Sequence, residues 1–244
     1  MYQDKEKEIE FFDQFIEEKK EYVGLSSKSY DKLFNELLKF LAAKDQQIHI
    51  IDLGCGTGTF TKKLSLLNGK TYGCDISSKS IAQAMKLNPK VKFSVQDIES
   101  LSFENDKFDL VVLSGVLHHF NNLEKILTEA KRILKHDGLL FAFDPNLHNP
   151  FFWLYRRKKS WFYSKEGVTK NEEPLTKKKI KLALDFCKFQ DCKIYGISNM
   201  SYKYIANKKL SFLLPIYNLI DYLLNIIPYF RNVHGSFLIT KAKK

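Results

Sequence analysis

Four cysteines in 244 residues are too few and too irregularly placed to indicate a metal site. Cys55, Cys74, Cys187 and Cys192 make no C-x-x-C pair and have no histidine at metal-ligand spacing, so we expect no bound metal and free thiols. The first ten residues, MYQDKEKEIE, also lack the apolar segment of a secretory signal. Together these absences predict a reducing, cytosolic compartment.

A long uninterrupted hydrophobic run is also missing. The longest apolar stretch, residues 212–230, is broken by two prolines, Asp221 and Asn225, which argues against a helix that spans a membrane. Residues 211–227 still predict a helix, with Asn218, Asp221 and Asn225 on one narrow stripe and apolar residues elsewhere. That pattern predicts a nearly buried helix, with packing in a lid, dimerisation and contact with a membrane surface as the open alternatives.

Acidic residues are scarce in the last two fifths of the sequence. Residues 1–150 carry 20 basic and 22 acidic side chains, a net charge of −2, whereas residues 151–244 carry 19 and 6, a net charge of +13. Such an excess favours an anionic partner such as a phosphate group, a membrane surface or a nucleic acid. A lysine-rich surface in contact with water is the alternative interpretation.

Short apolar runs alternate with helical patterns through the middle of the sequence. Continuous Val, Leu and Ile strands that alternate with helices are typical of a parallel sheet covered on both faces. We therefore predict a doubly wound α/β fold with a mostly parallel seven-stranded sheet, N-terminal helices and a helical lid insertion. The predicted strands are residues 48–53, 70–75, 91–96, 108–113, 139–143, 193–197 and 235–240, and the predicted helices are residues 4–21, 29–43, 78–87, 122–134, 176–189 and 211–227, with a further helical pattern that reaches residue 67.

A glycine-rich turn follows the first predicted strand. Residues 54–58 read Gly-Cys-Gly-Thr-Gly and lead into a helical pattern, so backbone N–H groups and a helix N-terminus face a ligand with no side chain in between. The glycine spacing is G-x-G-x-G, and the turn lacks the Lys-Ser/Thr pair of a phosphate-binding loop. Both departures weaken a dinucleotide or nucleoside triphosphate interpretation.

The segment Ile51-Asp52-Leu53-Gly54-Cys55-Gly56-Thr57-Gly58 resembles the first motif of the class I S-adenosylmethionine-dependent methyltransferases. The resemblance implies that Asp75, at the end of the second strand, holds the ribose hydroxyls, and a carboxylate is suited to accept two hydrogen bonds from a vicinal diol. It also implies that Asp97 and Ile98, after the third strand, lie beside the adenine of S-adenosylmethionine. The cofactor-binding residues that it implies are Asp52, Gly54, Cys55, Gly56, Thr57, Gly58, Asp75, Ile76, Asp97, Ile98 and Ser114.

The resemblance covers residues 45–145 strongly and residues 176–244 by the order of their elements alone. It predicts one domain, in which the segment Leu134-Lys135-His136-Asp137-Gly138-Leu139 takes the place of the family's Leu-Lys-Pro-Gly-Gly turn. The parts of this domain are N-terminal helices at 1–45, a cofactor-binding core at 46–145, basic aromatic and helical insertions on the substrate side together with the sixth strand at 146–234, and a closing strand at 235–244.

Two adjacent histidines follow the fourth predicted strand, where the family's acceptor approaches the cofactor. Methyl transfer is an in-line displacement, so the enzyme mainly aligns a nucleophile and excludes water. His118 and His119 are the candidates for a base that accepts a proton from a hydroxyl nucleophile, and a structural role for the pair is the alternative. Asp144, at the end of the fifth strand, is a further candidate to face the acceptor, and the sequence offers no clear set of metal ligands.

The residues after the fourth strand also bear on the acceptor. Ser114-Gly115-Val116-Leu117 lacks the Asn/Asp-Pro-Pro-aromatic motif of nucleic-acid and glutamine N-methyltransferases. We therefore expect methyl transfer to a small-molecule, lipid-linked or glycan acceptor at oxygen. RNA methylation is the runner-up because of the basic tail, and a non-catalytic protein that binds a partner or senses the cofactor is a further alternative. The sequence predicts no oligomeric state.

Residues 151–163 interleave aromatic side chains with Arg156, Arg157, Lys158 and Lys159. Such an insertion after the fifth strand loosely resembles the glycan-cluster and lipid-pathway methyltransferases. Aromatic rings at headgroup depth and cations on phosphates suit a peripheral contact with an anionic membrane. A lid over the active site, with its charges in water, is the alternative.

Overall fold

Seven strands form one mixed sheet at the centre of the computed structural model, which describes residues 5–19, 25–41, 47–164, 169, 172–200, 202 and 212–244. The strands are β1 (Ile48–Leu53), β2 (Gly69–Asp75), β3 (Lys92–Val95), β4 (Phe108–Ser114), β5 (Leu134–Pro145), β6 (Gln190–Ile197) and β7 (Phe237–Lys243). Their order is β3-β2-β1-β4-β5-β7-β6, and β7 runs antiparallel to both β5 and β6. The predicted seven-stranded, mostly parallel sheet is confirmed.

Helices cover both faces of this sheet, as the doubly wound prediction requires. Those in the described residues are α1 (Lys5–Lys19), α2 (Ser27–Leu41), α3 (Thr61–Leu64), α4 (Ser78–Leu87), α5 (Leu123–Ile133), α6 (Pro150–Arg156), α7 (Lys177–Phe186), α8 (Leu214–Ile226) and α9 (Pro228–His234). Because successive side chains of a strand point to opposite faces, Ile50 and Leu110 pack in the core that contains residues of α2 and α8. Their neighbours Ile51 and Val111 pack in the core that contains residues of α5 and α7.

Polar side chains at the helix N-termini fix where several helices begin. Ser77, Asn122, Asn149 and Thr176 each accept a hydrogen bond from a backbone N–H in the first turn of the helix that follows. These bonds satisfy donors that a helix leaves unpaired at its start. They set the first turns of α4, α5, α6 and α7.

The beginning of β5 differs from the sequence-based prediction. We predicted that His136-Asp137-Gly138 forms a turn between a helix and a strand, but β5 begins at Leu134 directly after α5. Asp137 has a φ of 62°, and the pairing of β5 with β4 shifts register in this region. The segment therefore continues as an irregular strand, and its Gly138 carbonyl accepts a hydrogen bond from the Lys244 N–H at 3.0 Å.

The helices also depart from the prediction in their extent. The helical pattern expected to reach residue 67 yields only α3, which ends at Leu64, and α9 was not predicted. A proline at the first position of α9 supplies a start signal for this short helix. The predicted helix ends at residues 4, 20–21, 42–43 and 211 lie outside the described residues.

Helix α8 is not the nearly buried helix that its sequence predicts. Tyr217 and Asp221 are its buried residues, while Ile216, Leu219 and Leu223 are exposed to water. The reason is that its polar stripe, rather than an apolar one, faces the protein. Within the described ranges, no helix combines the length and the hydropathy needed to cross a membrane.

The topology decides where a ligand can bind. β1 lies next to β4 at the centre of the sheet. The connection after β1 leads to β2 and the connection after β4 leads to β5, so the two connections run toward opposite edges of the sheet. In open α/β sheets such a switch point leaves a crevice outside the carboxyl ends of the strands. The topology therefore places a binding crevice at the carboxyl edge of β1 and β4.

Phe108 tests how strongly the sheet depends on packing remote from this edge. Its fully buried ring makes edge-to-face contacts with Tyr72 and Phe103 at centroid distances of 5.3 and 5.2 Å. Phe108→Ala should lower the free energy of unfolding by about 3–5 kcal/mol. Phe108→Leu, which keeps most of the volume, should cost less than about 1.5 kcal/mol. Urea unfolding measures both values, and equal losses would contradict a packing role for the ring.

Candidate functional site

A cavity of about 290 Å³ opens at the carboxyl edge of the sheet. The segments that follow β1, β2, β3 and β4 form part of its wall, and α1 and α6 contribute further residues. The residues of the implied cofactor set that line it are Gly54, Cys55, Gly56, Thr57, Asp75, Ile76, Asp97, Ile98 and Ser114. Asp52 and Gly58 do not contribute to this lining.

The glycine turn after β1 has backbone angles that glycine adopts without strain. Gly54, Gly56 and Gly58 have φ values of 69°, 50° and 78°, in the left-handed region. A methyl group placed on Gly54 would lie 2.4 Å from Val116 Cγ2, and one on Gly58 would lie 2.8 Å from Asn88 Nδ2. A methyl group on Gly56 would meet no atom within 4 Å. The turn is thus tightly packed at both ends and open to the cavity at its centre.

Asp75 ends β2 and holds the glycine turn. Its Oδ2 accepts a hydrogen bond from the Gly56 N–H at 2.9 Å, and its Oδ1 accepts one from the Ser77 N–H at 2.9 Å. Burial raises the pKa of Asp75, against the lowering effect of these N–H groups. Because each carboxylate oxygen accepts more than one hydrogen bond, Asp75 retains capacity for a diol in the cavity.

Asp52 lies beneath the turn rather than in the cavity. Its carboxylate accepts hydrogen bonds from Thr61 Oγ1 at 2.6 Å and from Ser114 Oγ at 2.7 Å. Complete burial raises the pKa of Asp52 to about 7, although both hydroxyl groups act to lower it. Asp52 therefore joins the end of β1 to the first residue of α3 and the last residue of β4, and it positions Ser114 in the cavity wall.

Helix α1 covers part of the cavity, which the sequence analysis did not predict. Lys5 Nζ forms ion pairs with the carboxylates of Asp97 and Glu99, and Ser77 Oγ donates a hydrogen bond to Asp13 Oδ1 at 2.5 Å. The apolar stripe of α1 predicts that one side of the helix packs inward. It carries no signal that charged residues of the same helix bind the loops after β2 and β3.

His118 lies in a short 3-10 turn after β4, and its ring is fixed by an acid. His118 Nδ1 lies 3.0 Å from Asp144 Oδ1, which also accepts the backbone N–H of His118 at 3.1 Å. Nε2 lies 3.7 Å from Glu172 Oε1. Burial lowers the pKa of His118 well below its usual range, and the charges of His119 and Arg156 act in the same direction. Burial raises the pKa of Asp144 to about 8.

His119 has different neighbours, although its ring centroid lies only 4.2 Å from that of His118. Its Nδ1 lies 3.6 Å from Glu8 Oε2, and its ring contacts Phe12 at a centroid distance of 5.5 Å. Burial alone would lower the pKa of His119, but the hydrogen bond to Glu8 and the charge of Glu172 raise it. These contacts connect His119 to α1.

The acids around the two histidines were mostly missed by the sequence analysis. Asp144 was a candidate, but Glu8 and Glu172 have no local motif that marks them, since only the tertiary structure brings them to the histidines. The ligand atoms of His118, His119 and Glu172 lie within 4.8 Å of one another, close enough to hold a metal ion. The sequence predicts no metal, so this cluster adds metal binding to acid–base chemistry as a role to test.

Aromatic side chains form another part of the cavity wall: Phe143, Phe152, Tyr155, Tyr202 and Phe237. Because two of them belong to α6, that helix forms a wall of the site. Arg156 lines the cavity as well, and its Nη1 donates a hydrogen bond to the Ser164 carbonyl at 3.4 Å. Of the four basic residues predicted to contact a membrane or form a lid, Arg156 thus lies in the cavity wall, Arg157 is partly buried, and Lys158 and Lys159 are exposed.

Comparison with known proteins agrees with the geometry of the glycine turn. A family model described as "Methyltransferase domain" matches residues 51–142. An uncharacterised protein of Methanocaldococcus jannaschii is 30% identical over 188 residues, which are 70% of this chain and 71% of that protein. The chain belongs to the class I S-adenosylmethionine-dependent methyltransferases. This methyltransferase accordingly uses S-adenosylmethionine as its cofactor.

Other proteins resemble this chain in sequence over a shorter segment, or in fold at low sequence identity. The malonyl-[acyl-carrier protein] O-methyltransferase of Bacillus cereus is 31% identical over 123 residues, 49% of this chain and 45% of that enzyme. The chain thus aligns with less than half the length of that relative. A SAM-dependent methyltransferase from Archaeoglobus fulgidus has the same fold, with a TM-score of 0.60 at 17% identity over 88% of this chain and 94% of that one.

The residues of the cavity fit S-adenosylmethionine. The turn is open to the cavity at Gly56, so a ligand can approach its backbone closely. Asp75 would hold the ribose through its carboxylate, and Ile76 and Ile98 form apolar parts of the cavity wall. When bound, the cofactor supplies an electrophilic methyl group on a sulfonium.

Asp75 offers a direct test of the cofactor site. Asp75→Ala removes the carboxylate and should weaken S-adenosylmethionine binding by about 1.5–3 kcal/mol, as for a hydrogen bond to a charged group. Asp75→Asn keeps one acceptor oxygen and should lose less. Isothermal titration calorimetry measures both affinities. Asp109→Asn is the matched control, because Asp109 bonds to His49 and Lys135 outside the cavity lining. Unchanged affinity in Asp75→Ala would contradict the assignment.

Proposed function

We propose that this methyltransferase transfers a methyl group to a hydroxyl oxygen of a small-molecule or lipid-linked acceptor with an apolar body, and that His118 is its general base. The observation that carries the proposal is the pair formed by His118 and Asp144 in the cavity wall. An oxygen nucleophile must lose its proton during transfer, so a base at the acceptor end has a defined task.

The hydrogen bond to Asp144 favours one state of the imidazole. When Asp144 is ionised, it can only accept a hydrogen bond from Nδ1–H, and this tautomer leaves the lone pair of Nε2 free. Burial lowers the pKa of His118, so the ring is neutral, and it can accept a proton at Nε2 once Asp144 is ionised, above about pH 8. A fixed ring also holds Nε2 in one direction, which supports alignment of the nucleophile.

Glu172 supports the same role from the other side of the ring. Its Oε1 lies 3.7 Å from Nε2, too far for a hydrogen bond. A carboxylate at this distance stabilises the positive charge that forms when His118 takes the proton. Proton transfer to His118 thus creates a charge between two acids.

The aromatic part of the wall supports an acceptor with an apolar body. Phe143, Phe152, Tyr155 and Phe237 present mainly apolar ring surface to the cavity, and such surface binds apolar or aromatic groups through the hydrophobic effect. The Bacillus cereus relative is named as an enzyme that transfers a methyl group to oxygen. That name supports oxygen as the acceptor atom and leaves the acceptor molecule to experiment.

The pH dependence of the turnover rate tests the pair. Burial raises the pKa of Asp144 to about 8, so below that pH Asp144 carries a proton and donates it to Nδ1. Nε2 then carries the ring proton and accepts none. We expect kcat to rise with pH and to level above pH 8. In Asp144→Asn this limb should vanish and the plateau should fall roughly 100-fold or more. An unchanged limb in that variant would contradict the coupling.

Alanine variants of the two histidines distinguish a general-base role from a structural role. His118→Ala should lower kcat roughly 100- to 10,000-fold with little change in cofactor affinity. His119→Ala should act mainly on cofactor affinity, because His119 contacts α1. Labelled S-adenosylmethionine with hydroxylated small molecules and extracted lipids provides the assay. Cofactor binding without transfer to any acceptor would favour the non-catalytic alternative, and product labelled at nitrogen or carbon would exclude oxygen transfer.

Removal of divalent metals by a chelator tests whether His118, His119 and Glu172 bind a metal ion that is needed for activity. EDTA should leave kcat unchanged if His118 acts as a base alone. Loss of activity on chelation, with recovery on addition of a divalent metal, would instead assign His118, His119 and Glu172 as metal ligands.

A further inference from the structure

Helix α8 presents its polar stripe to the protein. Asn218 bonds to the backbone of Tyr202 through both its oxygen and its nitrogen, at 2.9 and 3.3 Å. Asp221 accepts the Met200 N–H at 2.7 Å and a hydrogen bond from the Ser236 hydroxyl. Asn225, one turn further, accepts a hydrogen bond from Lys32 at 3.3 Å. These bonds fix the rotation of the helix about its axis.

The opposite side of α8 is therefore apolar and exposed. The exposed large side chains of this outer apolar face, which continues through α9, are Phe212, Ile216, Leu219, Tyr222, Leu223, Ile226, Ile227, Tyr229 and Phe230. A shallow groove lined by Ile220, Leu223, Leu224, Ile227 and Phe230 joins the two helices. Asp221 is the one charged residue in the sequence from 212 to 230, and it is buried. A contiguous apolar surface of this kind marks an interaction site.

The length of the helix limits how it can meet a lipid bilayer. At 1.5 Å per residue, the 13 residues of α8 extend about 20 Å, whereas the hydrocarbon core is about 30 Å thick. The helix can therefore contact a membrane only by lying along its surface. In that orientation the whole outer apolar face meets lipid and the polar stripe stays on the protein.

The charge around the outer apolar face favours an anionic surface. The one acidic side chain of residues 212–234, Asp221, is buried, so α8 and α9 expose no acidic side chain. Arg231 follows Phe230 directly, and Lys177 bonds to Asn232 of α9 at 2.6 Å. A second copy of this chain would bring the same positive charges against themselves, which disfavours self-association.

We propose that the outer apolar face of α8 and α9 docks on an anionic lipid bilayer, with its apolar side chains at the level of the acyl chains and the basic side chains at the phosphates. Each basic residue near anionic lipid strengthens binding about fivefold, and buried apolar area adds to this. The proposal is independent of the methyl acceptor, because the face lies on the outside of α8.

The same helix also connects this face to the cavity. Buried Tyr217 of α8 contacts Tyr202 and Phe151 at centroid distances of 4.7 and 4.2 Å, and Tyr202 lines the cavity. Docking would therefore place the aromatic wall of the site one side chain away from the membrane-bound helix.

Vesicle flotation of the full chain tests the proposal. Wild type should float with phosphatidylcholine vesicles that contain phosphatidylglycerol, float much less with pure phosphatidylcholine, and lose binding as salt rises. Leu219→Glu/Leu223→Glu should bind at least about tenfold more weakly, because two apolar contacts become charges. Leu182→Glu is the matched control: Leu182 of α7 is 59% exposed, like Leu219 at 56%, and this variant should float as wild type does.

Three results would overturn the proposal: wild type that stays with the lipid-free fraction, a double variant that floats as wild type does, or a lipid-free dimer that the double variant dissociates in sedimentation equilibrium. The last result would assign the face to a second copy. Cofactor affinity should be the same in all three proteins, which shows that they are folded. If the double variant fails this control, Leu219→Glu alone replaces it, with a correspondingly smaller loss of flotation.

Discussion

The buried carboxylate of Asp52 is the constraint on which the cofactor site depends. Asp52 precedes the glycine turn and accepts a hydrogen bond from Thr61, which follows the turn, so this bond connects the two ends of the turn. A second hydrogen bond, from Ser114, connects β1 to β4. A buried polar network of this kind is costly when one partner is lost. The same network holds the turn whose backbone is open at Gly56, next to the carboxylate of Asp75.

Burial also controls the chemistry at the other end of the cavity. It lowers the pKa of His118 and raises that of Asp144, because an isolated charge is unfavourable away from water. His119 has the opposite shift, since Glu8 and Glu172 outweigh the effect of burial. Two adjacent residues of one type thus acquire different properties, one suited to accept a proton and one suited to pair with α1.

The surface of the protein follows a related trade-off. The polar side chains of α8 form hydrogen bonds with Met200, Tyr202 and Lys32, and its large apolar side chains are therefore exposed to water. Buried hydrogen bonds hold the helix, so rotation that would hide Leu219 and Leu223 would leave Asp221 exposed and its partners unsatisfied. An external apolar partner resolves this conflict, and the basic surroundings favour an anionic lipid surface as that partner.

The sequence by itself determined the features that depend only on neighbouring residues. The turn at residues 54–58 follows from glycine spacing, the sheet from alternating apolar runs, and Asp75 from its place at a strand end. Tertiary structure alone decided which distant acids reach the histidines, because nothing near Glu8 or Glu172 encodes that contact. It also decided which side of α8 faces water: periodicity shows that a helix has two unlike faces, but the hydrogen-bond partners that select the inner one come from other parts of the chain.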